Sequence, residues 1–252
     1  MNKNDLNRLY LAFLKENGDR NKAKKEKAYL YSDLKHYGIP APKKRAFLKQ
    51  FKKDLLNLKK SEALEWVEYF WNKPSFEQKS LALHVLNLHK EKLDISDMPL
   101  IEKLMRSSRG WAFLDNLIIP VMPVILEKNK NAYKYLEKWI NDPDFWVRRS
   151  ALLAQIIFFR KGDGGDKKLF FKLAKSQFDE TWIDEVYKDT LQRKRARFFI
   201  RKAIGWSLRE MSHKDPESAF IFLKEHKKEM SGLSFRDGSR KLPGELQRKL
   251  AY

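Results

Sequence analysis

Apolar residues recur every three or four positions along almost the whole chain, and alternation with a period of two is nearly absent. That spacing predicts helices over roughly 5–16, 20–36, 42–58, 61–72, 75–91, 97–107, 110–127, 131–141, 143–160, 166–177, 180–192, 194–212, 215–228 and 234–250. Gly38-Ile39-Pro40 is expected to end one helix. Asp142-Pro143 and Asp215-Pro216 each put an N-cap carboxylate before a proline suited to the first helical position. Gly162-Asp163-Gly164-Gly165 reads as a flexible loop. The expected fold is all-α, a solenoid of HEAT-like antiparallel helix pairs with a basic concave face that could embrace a duplex. Its rhythm is two helices per roughly 35–45 residues. A compact irregular bundle is the alternative that rhythm leaves open. The expected organisation is one domain over 1–252.

Charge narrows the partner. The 252 residues hold 53 Lys and Arg against 33 Asp and Glu, a formal charge of +20. Such an excess favours a polyanion through counterion release, with a membrane surface or a merely lysine-rich exterior as the other readings. There is no cysteine, so disulfides, thiolate chemistry and the common zinc frameworks are excluded. The five histidines are scattered, and the spacing of His84 and His89 does not put them on one helical face. No metal site and no cofactor is expected. The chain has no 18-residue apolar run and no signal-peptide core at its N-terminus, so the expectation is a cytoplasmic protein with no membrane partner.

Trp66, Trp71 and Trp139 fall on apolar helical faces and read as core. Three other segments break the pattern. In Phe199–Arg209, Ile200, Ile204, Leu208 and Met211 form an apolar stripe, while Lys202, Trp206 and Arg209 gather opposite it. The surrounding stretch 188–209 carries eight Lys/Arg and one acid, Asp189. This reads either as a nucleic-acid contact face or as a Trp packed under a neighbouring helix. In Trp111-Ala112-Phe113-Leu114-Asp115, the indole and carboxylate lie four residues apart and share a face. Asp115 is the only acid between Lys103 and Leu126, so it is paired, protonated or functional. In Asp142–Arg149, Arg149 lies near Phe145, Leu153 and Ile156 on the helical wheel, a candidate part-buried cation for a salt bridge or a phosphate.

Together these segments resemble the DNA alkylation repair family, the AlkD-like HEAT-repeat alkylpurine DNA glycosylases. Phe198-Phe199-Ile200-Arg201-Lys202-Ala203-Ile204-Gly205-Trp206-Ser207-Leu208-Arg209-Glu210 resembles the family's most recognisable stretch. Trp146-Val147-Arg148-Arg149-Ser150-Ala151 resembles its W-x-x-R-x-A segment, and Trp111-x-x-x-Asp115 its catalytic W-x-x-x-D helix. Tyr29, with Gly38-Ile39-Pro40-x-Pro42-x-x-Arg45, and Leu233-Ser234-Phe235-Arg236 resemble its N- and C-terminal landmarks.

The resemblance implies removal of cationic N3- and N7-alkylated purines from double-stranded DNA by hydrolysis of the N-glycosidic bond, leaving an abasic site. It implies Asp115 as the catalytic carboxylate, with Trp111 and Trp206 as aromatic partners. It makes Tyr29, Arg148, Arg149, Lys202, Arg209 and Arg236 DNA contacts. It implies a monofunctional enzyme, a monomer with no small-molecule cofactor. A non-catalytic relative that binds distorted or branched DNA is the alternative, and a protein-binding scaffold a third. The chain departs from the family pattern at Gly110, at Ala112 and at Asp237-Gly238-Ser239. Its span from Arg149 to Trp206 is also long, which points to an insertion over Gly162–Arg197, either an added DNA clamp or an extended helix pair.

Overall fold

The computed structural model describes every residue except Arg109 and Tyr252, and only the backbone of Ala251. The described residues are helical and contain no strand; the one bridge joins Lys35 to Ser75. The chain forms two compact units, Met1–Leu117 and Ile118–Tyr252. The first holds α1 (Lys3–Glu16), α2 (Arg20–Leu30), α3 (Ala41–Lys49), α4 (Lys52–Leu56), α5 (Lys60–Trp71), α6 (Phe76–Leu88), α7 (Met98–Arg106) and the start of α8 (Trp111–Lys128). The second holds the rest of α8, then α9 (Tyr133–Trp139), α10 (Phe145–Leu153), α11 (Ile156–Lys161), α12 (Lys167–Lys175), α13 (Thr181–Val186), α14 (Thr190–Lys214), α15 (Pro216–Glu225), α16 (Gly232–Ser239) and α17 (Gly244–Ala251).

In the first unit α5 and α6 pack together across a short connection, which makes them antiparallel neighbours. Trp66, Val67, Phe70 and Trp71 of α5 are buried with Leu81, Val85 and Leu86 of α6. Each such side chain contributes about 1.5–3 kcal/mol by leaving water. Trp139 is buried in the second unit, so the three tryptophans expected in the core are there. The second unit is built round α14, which packs against α10, α11, α15 and α16. Its stripe of Ile200, Ile204, Leu208 and Met211 is buried as expected.

Several helix limits differ from those the spacing predicts, each for a local reason. The helix expected over 20–36 stops at Leu30, where Tyr31 turns left-handed with φ 49°. Beyond it, Phe76 N–H bonds the Lys35 carbonyl, and Glu77 Oε1 accepts the Tyr37 and Gly38 N–H groups at 3.0 Å each. Those bonds hold the segment extended, so Gly38-Ile39-Pro40 does not end a helix. The run 42–58 breaks at Gln50 and Phe51, which form tighter i→i−3 bonds. Asp144, not Asp142, caps α10: it accepts Trp146 N–H, while Asp142 turns the chain by accepting Asp144 N–H. The run 143–160 divides at Gln155, whose side chain accepts Asp166 N–H. No break separates 192 from 194, because nothing between Thr190 and Lys214 stops α14. The last run divides before Pro243, where α17 starts anew. Asp215-Pro216 does cap α15, with Asp215 accepting Ser218 N–H.

His36 sits under this extended segment, stacked on Phe76 at 4.7 Å, and neither ring nitrogen has a hydrogen-bond partner. Burial lowers its pKa, opposed by Glu77 and Glu26 and assisted by Lys27 and Lys44. Burial lowers that of His84 as well. The unfolded chain therefore takes up protons below about pH 6.5 that the folded chain refuses, and stability falls as pH drops through that window. Carboxylates held down by partners, such as Asp94 by Lys60, act only below about pH 4. The melting temperature should fall between pH 7 and pH 5, and fall less in His36→Phe; an equal fall in both proteins would contradict the assignment.

Candidate nucleic-acid interface

In the first unit the site grows from the start of α8. Trp111 is its first residue, and Asp115 follows one turn later on the same face. Both are half-buried. Tyr29 reaches Trp111 from the last turn of α2, with ring centroids 5.9 Å apart and planes at 84°. Tyr29 is 70% exposed, which leaves most of its ring for a ligand. A cleft of about 240 Å³ opens beside the indole, lined in part by Ser32, Asp33, Phe76, Lys79 and Ser108. Just before α8, Gly110 has φ 146°, a conformation L side chains rarely adopt. This accounts for glycine at the place where the family pattern often has a second tryptophan.

The middle of α8 carries Pro120 and Pro123. Pro120 has no N–H for the carbonyl of Asn116, which Asn87 of α6 supplies through Nδ2 at 3.1 Å. Asn116 in turn bonds back to the Ala112 carbonyl. This part of α8 is thereby tied to α6 at Asn116.

In the second unit the candidate residues fall into two groups. Arg148 is buried and committed to the fold. It donates from Nε to the Asp142 carbonyl at 2.6 Å and from Nη1 to Gln177 at 3.1 Å, with its guanidinium 3.6 Å from the Trp182 ring centre. Tyr187 adds a second tie: its hydroxyl accepts Phe145 N–H and donates to the Pro143 carbonyl. Gln177, Trp182 and Tyr187 all lie in the segment 162–197, so this segment buttresses the start of α10. Arg149 is buried too, donating to the Phe199 carbonyl at 2.9 Å beside that residue's ring.

The other group lies on α14 and α16. Trp206 is half-buried and donates from Nε1 to Glu210 at 2.9 Å; Arg160 holds the other Glu210 oxygen at 2.9 Å. Lys202 and Arg209 flank that indole, and both bind Asp237 of α16. Asp237 thus cancels one of their two charges and fixes both side chains. Two glycines allow α16 this close. A Cβ on Gly205 would stand 2.8 Å from Asp237 Cβ, and one on Gly238 would stand 3.0 Å from Leu208 Cβ. The departure at Asp237-Gly238 is therefore a packing device, with carboxylate and glycine acting together. Arg236 is exposed and makes no ion pair among the described residues.

The model of the DNA alkylation repair enzyme family matches residues 10–242. The chain belongs to the DNA alkylation repair family. A predicted DNA alkylation repair enzyme from Enterococcus faecalis has the same fold, with a TM-score of 0.72 and 22% identity over 90% of this chain and 97% of that one. No curated protein matches the sequence. The matched span runs from before Tyr29 to beyond Arg236. No helix among the described residues is long and apolar enough to cross a membrane, and no group of three His, Asp or Glu there could hold a metal ion.

Two features have a role that the sequence did not assign to them. Asp237 is one; only its pairing with Lys202 and Arg209, 35 and 28 residues away, gives it meaning. The other is the outward face of early α14, where Leu191 and Phe198 are exposed beside Lys194. Leu191, Arg195, Phe198, Lys202, Trp206 and Arg209 repeat at helical spacing, and so continue the basic and aromatic stripe N-terminally.

Proposed function

We propose that the chain is a monofunctional alkylpurine DNA glycosylase acting as a monomer on double-stranded DNA. The observation that carries this reading is the arrangement of Trp111 and Asp115, one turn apart on α8, with the exposed ring of Tyr29 against the indole. An N3- or N7-alkylated purine is cationic and leaves readily. Its bond to C1′ breaks with both electrons going to the base, which departs neutral, and the deoxyribose becomes oxocarbenium-like. A carboxylate beside the sugar stabilises that charge and orients the water that adds to C1′, whose proton passes to solvent. Indole and phenol faces attract the cationic base or sugar by about 0.5–2 kcal/mol each.

The remaining residues divide by what they touch. Trp206, Lys202 and Arg209 form a face for the duplex, with Asp237 setting the two cations. Arg236 is a phosphate contact. Arg149 positions α10 against α14 through the Phe199 carbonyl. Arg148, already used three ways, positions the start of α10. Arg236→Ala should weaken DNA binding and lower the slope of log affinity against log salt by about one; an unchanged slope would remove it from the phosphate contacts.

The test of the reading is release of free base. Protein incubated with DNA carrying N7- and N3-methylpurines should liberate methylated bases that chromatography resolves from the polymer. Intact DNA with salt-sensitive binding would instead leave a non-catalytic member that binds DNA.

A further inference from the structure

Tyr31 is the only non-glycine residue with a positive φ among the described residues, at φ 49°. It follows the last turn of α2 directly. Its N–H bonds the Ala28 carbonyl at 3.2 Å, and the Ser32 N–H reaches back to the Lys27 carbonyl at 3.0 Å. These two bonds make a Schellman motif, whose left-handed position is usually glycine. The Ser32 hydroxyl then accepts Leu34 N–H at 3.2 Å, so the backbone is held on both sides. The fold therefore imposes the left-handed conformation, and a Cβ there crowds the following carbonyl.

Burial does not offset that crowding, since 67% of Tyr31 is exposed. A bulky aromatic residue is an outlier in this region of φ and ψ. Strain of this kind gathers where a side chain is held ready for a ligand. The surroundings fit that reading. Leu30 and Ser32, on either side of Tyr31, both line the cleft beside Trp111. Tyr29 meets that indole edge-on and is itself 70% exposed.

The same stretch also indicates the ligand. Residues 20–35 carry six Lys or Arg against Glu26 and Asp33, and Glu26 is paired with Lys22 at 2.7 Å. Lys24, Lys25 and Lys27 are exposed ahead of the two tyrosines, and α2 buries none of its side chains fully. Exposed rings among cations suit a nucleic-acid strand, whose bases stack and whose phosphates are anionic. A well-stacked duplex offers no free base face, whereas a duplex opened at a lost base does. We propose that Tyr31 is a second aromatic DNA contact, stacking on a base beside the lesion once the duplex is opened there. The inference rests on the DNA-binding reading of this site and not on chemistry at Asp115.

Anisotropy titrations of the full chain test this on two duplexes, one intact and one with a single tetrahydrofuran site, an abasic analogue that leaves a gap in the stack. The variants are Tyr31→Gly and Tyr31→Phe. Tyr31→Gly should melt about 2–4 °C above wild type, because glycine adopts the left-handed turn without crowding. It should bind the abasic duplex about tenfold more weakly. Its affinity for the intact duplex should stay within a factor of about two, since no base face is open there. Tyr31→Phe keeps the ring and should match wild type in stability and affinity. Neither variant should change the slope of log affinity against log salt, because no charge is lost. Melting temperature and affinity falling together in Tyr31→Gly would make the ring structural and overturn the proposal. So would a Tyr31→Gly protein that binds the abasic duplex like wild type, or a Tyr31→Phe protein as weak as Tyr31→Gly. Wild type that binds neither duplex would overturn the DNA-binding reading as well. Asp115→Asn should bind the abasic duplex like wild type, so a failed base-release assay leaves this result standing.

Discussion

Asp115→Asn is expected to cut base release from methylated DNA by on the order of 10²–10³-fold while DNA affinity stays within a factor of about two. The substitution keeps the size of the side chain and removes its charge. A charge that faces an oxocarbenium ion counts only once the glycosidic bond is breaking, so the loss falls on the rate and not on binding. Trp111 acts differently. Its indole meets Tyr29 in the free protein and offers a face to a cationic base before and during cleavage. Trp111→Ala should therefore weaken both steps. Single-turnover rates and anisotropy titrations on the same duplex separate the two patterns. Equal losses of rate and affinity in Asp115→Asn would make the carboxylate a structural group.

Gly205→Val should force α14 and α16 apart. Its new Cβ would lie 2.8 Å from Asp237 Cβ and 3.1 Å from the Ser234 carbonyl oxygen, where neither neighbour is a flexible chain end. The helices must part. Separation would break the Ser234 hydroxyl bond to the Arg201 carbonyl and the Ser212 hydroxyl bond to the Gly238 carbonyl, along with the Asp237 pairs to Lys202 and Arg209. Overpacking alone costs about 1–3 kcal/mol. With the lost bonds the melting temperature should fall by roughly 6–12 °C. DNA affinity should fall with it, since the two cations lose their fixed positions. Asp237→Asn is the control: it leaves the packing and weakens only the pairing, so it should melt near wild type. A Gly205→Val protein as stable as wild type would contradict the close packing of α14 on α16.

The helical class was legible because the period of the apolar residues is a property of the sequence itself. The stripe of Ile200, Ile204, Leu208 and Met211 needed no partner to be recognised, and it is buried. The sharing of a face by Trp111 and Asp115 was legible for the same reason. Helix limits were less so. Tyr31 ends α2 in a left-handed turn because Lys35, Tyr37 and Gly38 find better partners on α6, and no local pattern announces a bond formed 40 residues away. Arg148 and Lys202 looked alike as cations in basic stretches. Only the fold separates an arginine stacked on Trp182 from a lysine shared between Asp237 and solvent. Asp237 stood out only as a departure from the family pattern, because its partners Lys202 and Arg209 lie 35 and 28 residues away. Asn87 was hidden because its role depends on the missing N–H of Pro120, on another helix.

The most direct test of the central claim is single-turnover excision on a duplex with one N7-methylguanine. Enzyme is held in excess, and abasic sites are converted to strand breaks by alkali and counted over time. The account predicts breaks at the lesion only, at a rate lost in Asp115→Asn at full DNA occupancy. Breaks formed equally fast by wild type and Asp115→Asn, or by neither protein at saturation, would contradict it.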